Sequence, residues 1–143
     1  MSSLHVTFRV GTAEYAIPAS HVLHLESFDT ATHVPGAPPY VAGLVQVRGR
    51  VVPVVDLRKR FGLPPVDHEL AHRVVVVQLG ARVAGLLVDS AREVMQLDES
   101  SFREAPELIK QQANGFVTRI ATLKERMFLI VDVPRVIGQE VSS

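Results

Sequence analysis

His68-Glu69-Leu70-Ala71-His72 matches the pattern H-E-x-x-H letter for letter. On a helix such histidines lie one turn apart and can ligate zinc, while the glutamate activates a bound water. The surroundings do not supply that helix. The segment lies between Pro64-Pro65 and an apolar run beginning near Arg73, which leaves about two turns at 3.6 residues each. Its flanks have no apolar face to bury, no histidine follows His72, and a third ligand would have to come from elsewhere. The segment therefore reads as a solvated loop, and neither a metal nor a cofactor is expected. A small metallohydrolase acting through His68 and His72 is the unfavoured alternative.

The remaining chemistry-bearing residues point the same way. His21 and His24 stand three apart on a short helix expected to start at Pro18 and run toward Leu25, with no adjacent acidic or thiol partner. Neither a G-x-S-x-G elbow nor a glycine-rich phosphate loop occurs. Asp56 and Asp132 each precede a helical turn, where a carboxylate caps free N–H groups. Nothing here assembles a catalytic set, and the chain is expected not to be an enzyme.

The elements that must position any site are mostly strands. Leu4, Val6, Phe8 and Val10 alternate with polar residues, the period of a half-buried strand. Further strands are expected at 15–17, 41–47, 51–55, 74–79, 83–88, 93–97, 116–123 and 128–133. Arg48-Gly49-Arg50 should form a tight turn in which Gly49 takes positive φ. Pro53 places its strand at an edge or a bulge. Residues 29–39, rich in proline, read as an irregular loop, and 99–115 as a short helix plus loop. Many short strands with glycine and proline turns indicate an all-β barrel architecture.

The chain also repeats itself. Arg50-Val-Val-Pro-Val-Val-Asp-Leu-Arg-Lys-Arg-Phe-Gly62 aligns without a gap on Arg126-Met-Phe-Leu-Ile-Val-Asp-Val-Pro-Arg-Val-Ile-Gly138, and Tyr40-Val41 aligns on Phe116-Val117. Two modules too small for independent cores must pack together, and their seam is a place for a ligand or partner. Residues 1–143 then form one domain of two subdomains, about 4–66 and 72–138, with strand exchange between them allowed.

Composition bounds the partners. Fifteen basic side chains balance fifteen acidic ones, which argues against nucleic acid. There is no cysteine, so disulfides are excluded and a reducing cytoplasm suits the chain. The start Met-Ser-Ser-Leu-His lacks a signal-peptide pattern, and the apolar runs are too short to span a bilayer. The expected location is cytoplasmic, with no membrane insertion.

Gly43-Leu-Val-Gln-Val-Arg-Gly-Arg-Val-Val-Pro-Val-Val-Asp-Leu-Arg58 resembles the signature of the CheW-like family of bacterial chemotaxis coupling proteins. Phe8-Arg-Val-Gly-Thr-Ala-Glu-Tyr-Ala-Ile-Pro18, Pro38-Pro-Tyr-Val-Ala-Gly43, Gly85-Leu-Leu-Val-Asp89 and Met127-Phe-Leu-Ile-Val-Asp132 extend the likeness over essentially the whole chain. The resemblance implies two five-stranded, SH3-like barrels side by side with short helices and a hydrophobic groove between them. It implies a non-enzymatic adaptor that couples the cytoplasmic tip of a chemoreceptor to the regulatory domain of a CheA-type histidine kinase. Carried over by residue, Arg48 is the foremost partner contact, and Val22, Gly43, Leu44, Val74 and Gly85 match positions that line or support the receptor groove. Asp89 belongs to the same set and reads also as a loop-ordering residue. His24 stands where the family commonly has glutamate, and Ala91 where valine is usual. Those departures bear on partner choice: a divergent member that binds receptors or another adaptor without productive kinase coupling is the alternative.

Overall fold

Runs of β-branched residues favour extended backbone on a half-buried surface, and here they dominate the chain. A computed structural model describes residues 1–66 and 72–138. The strands are β1 (Ser2–Val10), β2 (Ala13–Pro18), β3 (Val22–Ser27), β4 (Val41–Val47), β5 (Arg50–Asp56), β6 (Arg73–Leu79), β7 (Arg82–Val88), β8 (Ser90–Asp98), β9 (Phe102–Glu104), β10 (Val117–Leu123) and β11 (Arg126–Val131). Three short helices accompany them: α1 (Leu57–Phe61), α2 (Glu107–Gln112) and α3 (Val133–Ile137). None of the described helices is long and apolar enough to cross a membrane.

The strands form two barrel-like sheets, one of six strands ordered β8-β1-β2-β11-β10-β9 and one of five ordered β3-β6-β7-β5-β4. The sixth strand, β9, arises inside the stretch expected to be helix and loop, where Phe102, Arg103 and Glu104 pair with β10. The sheets cut across the spans 4–66 and 72–138. Each span sends its first hairpin into the other's sheet: β1–β2 joins β11 in parallel at Tyr15↔Leu129 and Ala16↔Ile130, and β7 joins β5 at Val54↔Gly85 and Val55↔Leu86. The repeat survives down to single hydrogen bonds. Asp56 N donates to Tyr40 O at 2.8 Å and its repeat mate Asp132 N to Phe116 O at 2.9 Å. Both carboxylates cap their helices, Asp56 accepting from Arg58 N and Lys59 N and Asp132 from Arg135 N, a contact worth about 1 kcal/mol.

Three apolar cores result. One lies inside the five-stranded sheet around Val52, Val54, Val74 and Val76, and one inside the six-stranded sheet around Leu97, Ala121 and Phe128. The largest lies between the sheets, with Phe8, Ile17, Leu57, Val75, Leu86 and Val117. Arg60 stands at its edge with its guanidinium 3.7 Å from the Tyr40 ring centroid and 4.5 Å from that of Phe116, a pair of repeat mates. The same side chain donates to Val136 O at 2.9 Å, so it ties α1 to α3.

Several local expectations are corrected. The helix from Pro18 toward Leu25 is only the 3-10 turn Ala19–His21; β3 then begins at Val22, so His24 lies on a strand and does not share a helix face with His21. Pairing of β3 with β6 outweighs the weak local helical signal. Strand β5 is not an edge strand, yet Pro53 precedes the stretch paired with β7, which starts at Val54, so no N–H is demanded of it on that side. The last strand stops at Val131, and Val133 opens α3. In β1, His5 and Thr7 are buried as well as the apolar set, because the strand is covered on both faces.

Candidate docking surface

Strand β3 positions the surface. It is an end strand of its sheet, and a bulge separates the pairs Val22↔Val77 and His24↔Val76. The extra residue, Leu23, is pushed into solvent. Residues directly opposite on antiparallel strands share a face. Val22 opposite Val77 and Leu25 opposite Val75 therefore lie on the face that builds the inter-sheet core, while His24 and Glu26 lie on the face toward Val76 and Val74 inside the sheet. On the other sheet, Leu4 continues the face of Val6, and Val94 sits opposite Val6. Leu25, Leu4 and Val94 are 46%, 52% and 58% exposed. They carry the two faces of the inter-sheet core out to the surface, where β8 meets β6 and β1 meets the turn Ala19–His21. A groove with uncovered apolar walls is what remains.

Arg48 stands beside this strand. It adopts φ 51° and Gly49 φ 80°, so both central residues of the β4–β5 turn are left-handed. Only Gly49 was expected there; the two-residue loop matching the twist of its strands demands positive φ at both positions. Arg48 Nε donates to Glu26 Oε1 at 3.2 Å. That contact joins the two end strands of the five-stranded sheet, β3 and β4, which share no backbone ladder. The arginine itself remains 68% exposed, so the pair holds the side chain at the tip more than it stabilises the fold.

The other expected residues sort by burial. Val22, His24 and Leu44 are half-buried. Val74 is 1% exposed inside the five-stranded sheet, and Gly85 lies beneath it: a Cβ there would sit 2.5 Å from Val74 Cγ1. Gly43 has φ 143° and its Cβ would fall 2.3 Å from Thr32 O. That approach lets Thr32 and Leu44 exchange two backbone hydrogen bonds of 2.8 Å, pinning loop 29–39 on β4. Gly43, Val74 and Gly85 thus support the surface from below.

Asp89 is a staple between sheets. Its Oδ2 accepts from Gly11 N at 2.8 Å, and Arg58 Nε donates to Oδ1 at 2.9 Å. Burial alone would raise its carboxyl pKa; the Arg58 and Gly11 hydrogen bonds and the charges of Arg58 and His72 hold it below the ordinary range. Ala91 pairs with Phe8 across β8 and β1.

The apolar residues Leu4, Leu25 and Val94 and the carboxylate Glu26 were not legible as site residues from the sequence. The available signal was Leu23 and Leu25 flanking His24, apolar side chains on both faces of one short strand. His68 and Glu69 lie outside the described residues. His72 is buried, and its carbonyl accepts from Phe28 N. No cluster of three metal-ligating side chains occurs among the described residues.

The CheW-like domain family model matches residues 4–141. Chemotaxis protein CheW of Bacillus subtilis is 33% identical over 137 residues, 96% of this chain and 88% of that protein. Chemotaxis protein CheW of Klebsiella aerogenes is 32% identical over 133 residues, covering 93% of this chain and 80% of that protein. The crystal structure of the scaffolding protein TtCheW from Thermoanaerobacter tengcongensis superposes with a TM-score of 0.83 at 30% identity, over 92% of this chain and 90% of that one. With its repeated halves, paired barrel-like sheets and apolar seam, the chain belongs to the CheW-like domain family.

Proposed function

We propose that this protein is a non-enzymatic adaptor that couples the cytoplasmic tip of a chemoreceptor to the regulatory domain of a CheA-type histidine kinase. One observation carries the reading: the inter-sheet core continues to the surface through Leu4, Leu25 and Val94, leaving apolar walls that a partner can bury. A receptor tip fits this groove through apolar contact. Arg48 lies off the groove at the end of the five-stranded sheet, with guanidinium donors left over after Glu26 to meet a second partner. Family membership and the likeness to a chemotaxis scaffolding protein support the same role.

The test uses binding calorimetry with the receptor tip and the kinase regulatory domain. Arg48→Glu should leave the melting temperature within a few degrees and weaken one of the two partners at least tenfold. Leu25→Asp should weaken the receptor tip selectively. Unchanged affinity for both partners in both variants overturns the assignment.

His24 favours a second reading, in which the chain binds receptors or another adaptor without productive kinase coupling. The histidine replaces the carboxylate common in the family, and the nearest acidic side chain on its face is Glu26, already held by Arg48. Kinase activation measured with and without this protein in receptor-containing membranes separates the two readings.

A further inference from the structure

The internal repeat has a place where its two copies differ by a whole side chain. The hairpin turns Gly11-Thr12 and Gly80-Ala81 are counterparts: Val10↔Ala13 closes one and Leu79↔Arg82 the other. The parallel pairings agree with this alignment, since Ala16 faces Ile130 as Gly85 faces Val54. Position 13 therefore corresponds to position 82.

At the second copy Arg82 reaches from β7 to the end of α3. Its Nη1 donates to Gly138 O at 2.7 Å and its Nη2 to Ile137 O at 3.4 Å. At the first copy the corresponding carbonyls are those of Phe61 and Gly62, at the end of α1, and Ala13 has no side chain to reach them. The space a guanidinium and its stem would fill stays open. It forms a cleft of about 740 Å³ lined by Ala13, Tyr15, Phe61, Gly62, Leu63 and Leu129. It shares no lining residue with the groove formed by Leu4, Val22, Leu25 and Val94.

The cleft's chemistry suits the missing group. The Tyr15 and Phe61 rings stack with centroids 5.0 Å apart in its wall, and aromatic faces attract a guanidinium. Leu63, Ile109 and Leu129 offer apolar surface to an aliphatic stem and to neighbouring apolar residues. Glu14 at the rim is already paired with Arg126 at 2.7 Å, so the carbonyls, rather than that carboxylate, are the acceptors left for an incoming donor.

We propose that this cleft receives an arginine side chain, flanked by apolar residues, from a partner polypeptide, and that the arginine takes in trans the place Arg82 takes in cis. Its stem lies over Ala13 and the Tyr15–Phe61 rings, and its guanidinium donates to the Phe61 and Gly62 carbonyls. The site is separate from the docking surface proposed above and does not depend on that assignment.

The probe is an acetylated and amidated Leu-Ala-Arg-Ala-Leu peptide, titrated into the full-length ¹⁵N-labelled protein. A citrulline analogue, which keeps the shape and removes the charge, is the comparison, and free L-arginine tests whether the flanking residues matter. The expected result is shifts at Gly11, Ala13 and Gly62, with both citrulline peptide and free arginine at least tenfold weaker. Ala13→Arg, which fills the cleft from within, should abolish the shifts while keeping the melting temperature. Should that variant fail to fold, Ala13→Met occupies the same space without a cation and should weaken the peptide tenfold. Equal binding of the citrulline peptide or free arginine, binding undiminished in the Ala13 variant that folds, shifts centred on Val22 and Leu25, or none at millimolar peptide would each overturn the proposal.

Discussion

Asp89 and His5 make opposite demands on pH at the scale of single residues. Asp89 is held ionised by Arg58 and Gly11 N–H, with its folded-state pKa depressed. Its contribution is therefore complete above the ordinary value of 3.8 and disappears as pH falls through the lower folded-state value. Asp89→Ala leaves the Arg58 guanidinium half-buried and without this partner. A fully buried pair broken this way costs about 3–5 kcal/mol; solvent access to both groups reduces the expected loss to about 2 kcal/mol, read as a lower urea midpoint with unchanged slope. His5 behaves otherwise. It is 5% exposed, lies against Phe102 with ring centroids 5.4 Å apart, and its pKa is lowered, chiefly by burial and further by the charge of Arg119, against a hydrogen bond to Ser3. The unfolded chain then takes up a proton first. Stability should fall as pH drops below 6.5 toward the lower folded-state value, and His5→Phe should remove that slope. Urea titrations between pH 7.5 and 4.5 decide the point; an equal slope in wild type and variant would contradict it.

At the scale of elements, the long loop 29–39 is held by one close backbone approach. Gly43 has positive φ, and any Cβ there collides with the Thr32 carbonyl. Gly43→Ala must break the Thr32–Leu44 pair or move β4, which should cost about 2–4 kcal/mol, at the upper end for single substitutions. Amide exchange at Thr32 and Leu44 should accelerate in that variant even where the global fold persists. Strand β3 shows the companion case. Its backbone is fixed by β6 and its tip by Arg48–Glu26, so the exposed leucines ride on a rigid edge instead of a mobile loop.

The exchanged hairpins govern the whole molecule. Residues 1–66 contain β1 to β5, but β1–β2 completes the six-stranded sheet and β3–β5 the five-stranded one. A fragment 1–66 or 72–143 alone would present unpaired strand edges and half of each core. Both fragments should be unfolded by circular dichroism and recover β structure on mixing, since the lost contacts are nearly all between them. A folded isolated fragment would show that the sheets do not need the exchange. Arg60 between Tyr40 and Phe116 sits where the two copies meet, a long-range contact expected to form late in assembly.

Much of this was determined by the sequence alone. The repeat, the strand-rich architecture, the capping aspartates Asp56 and Asp132, the closing Gly62 and the family signature are local or periodic facts, and backbone preferences act within a few residues. The seam between modules followed from the repeat, because half a core cannot stand alone. What only the tertiary structure decided is which faces meet. His5 and Thr7 read as the polar side of β1 and are buried because a second sheet covers the first. His24 read as helical and lies in β3 because β6 offers a ladder of hydrogen bonds that residues 18–25 cannot supply for themselves. Val74 and Gly85 matched groove positions and lie inside a sheet, while Leu4, Leu25 and Val94 reach the surface. Burial is a property of surfaces brought together across the chain, and one-dimensional spacing carries the period of a strand without saying what will cover each side.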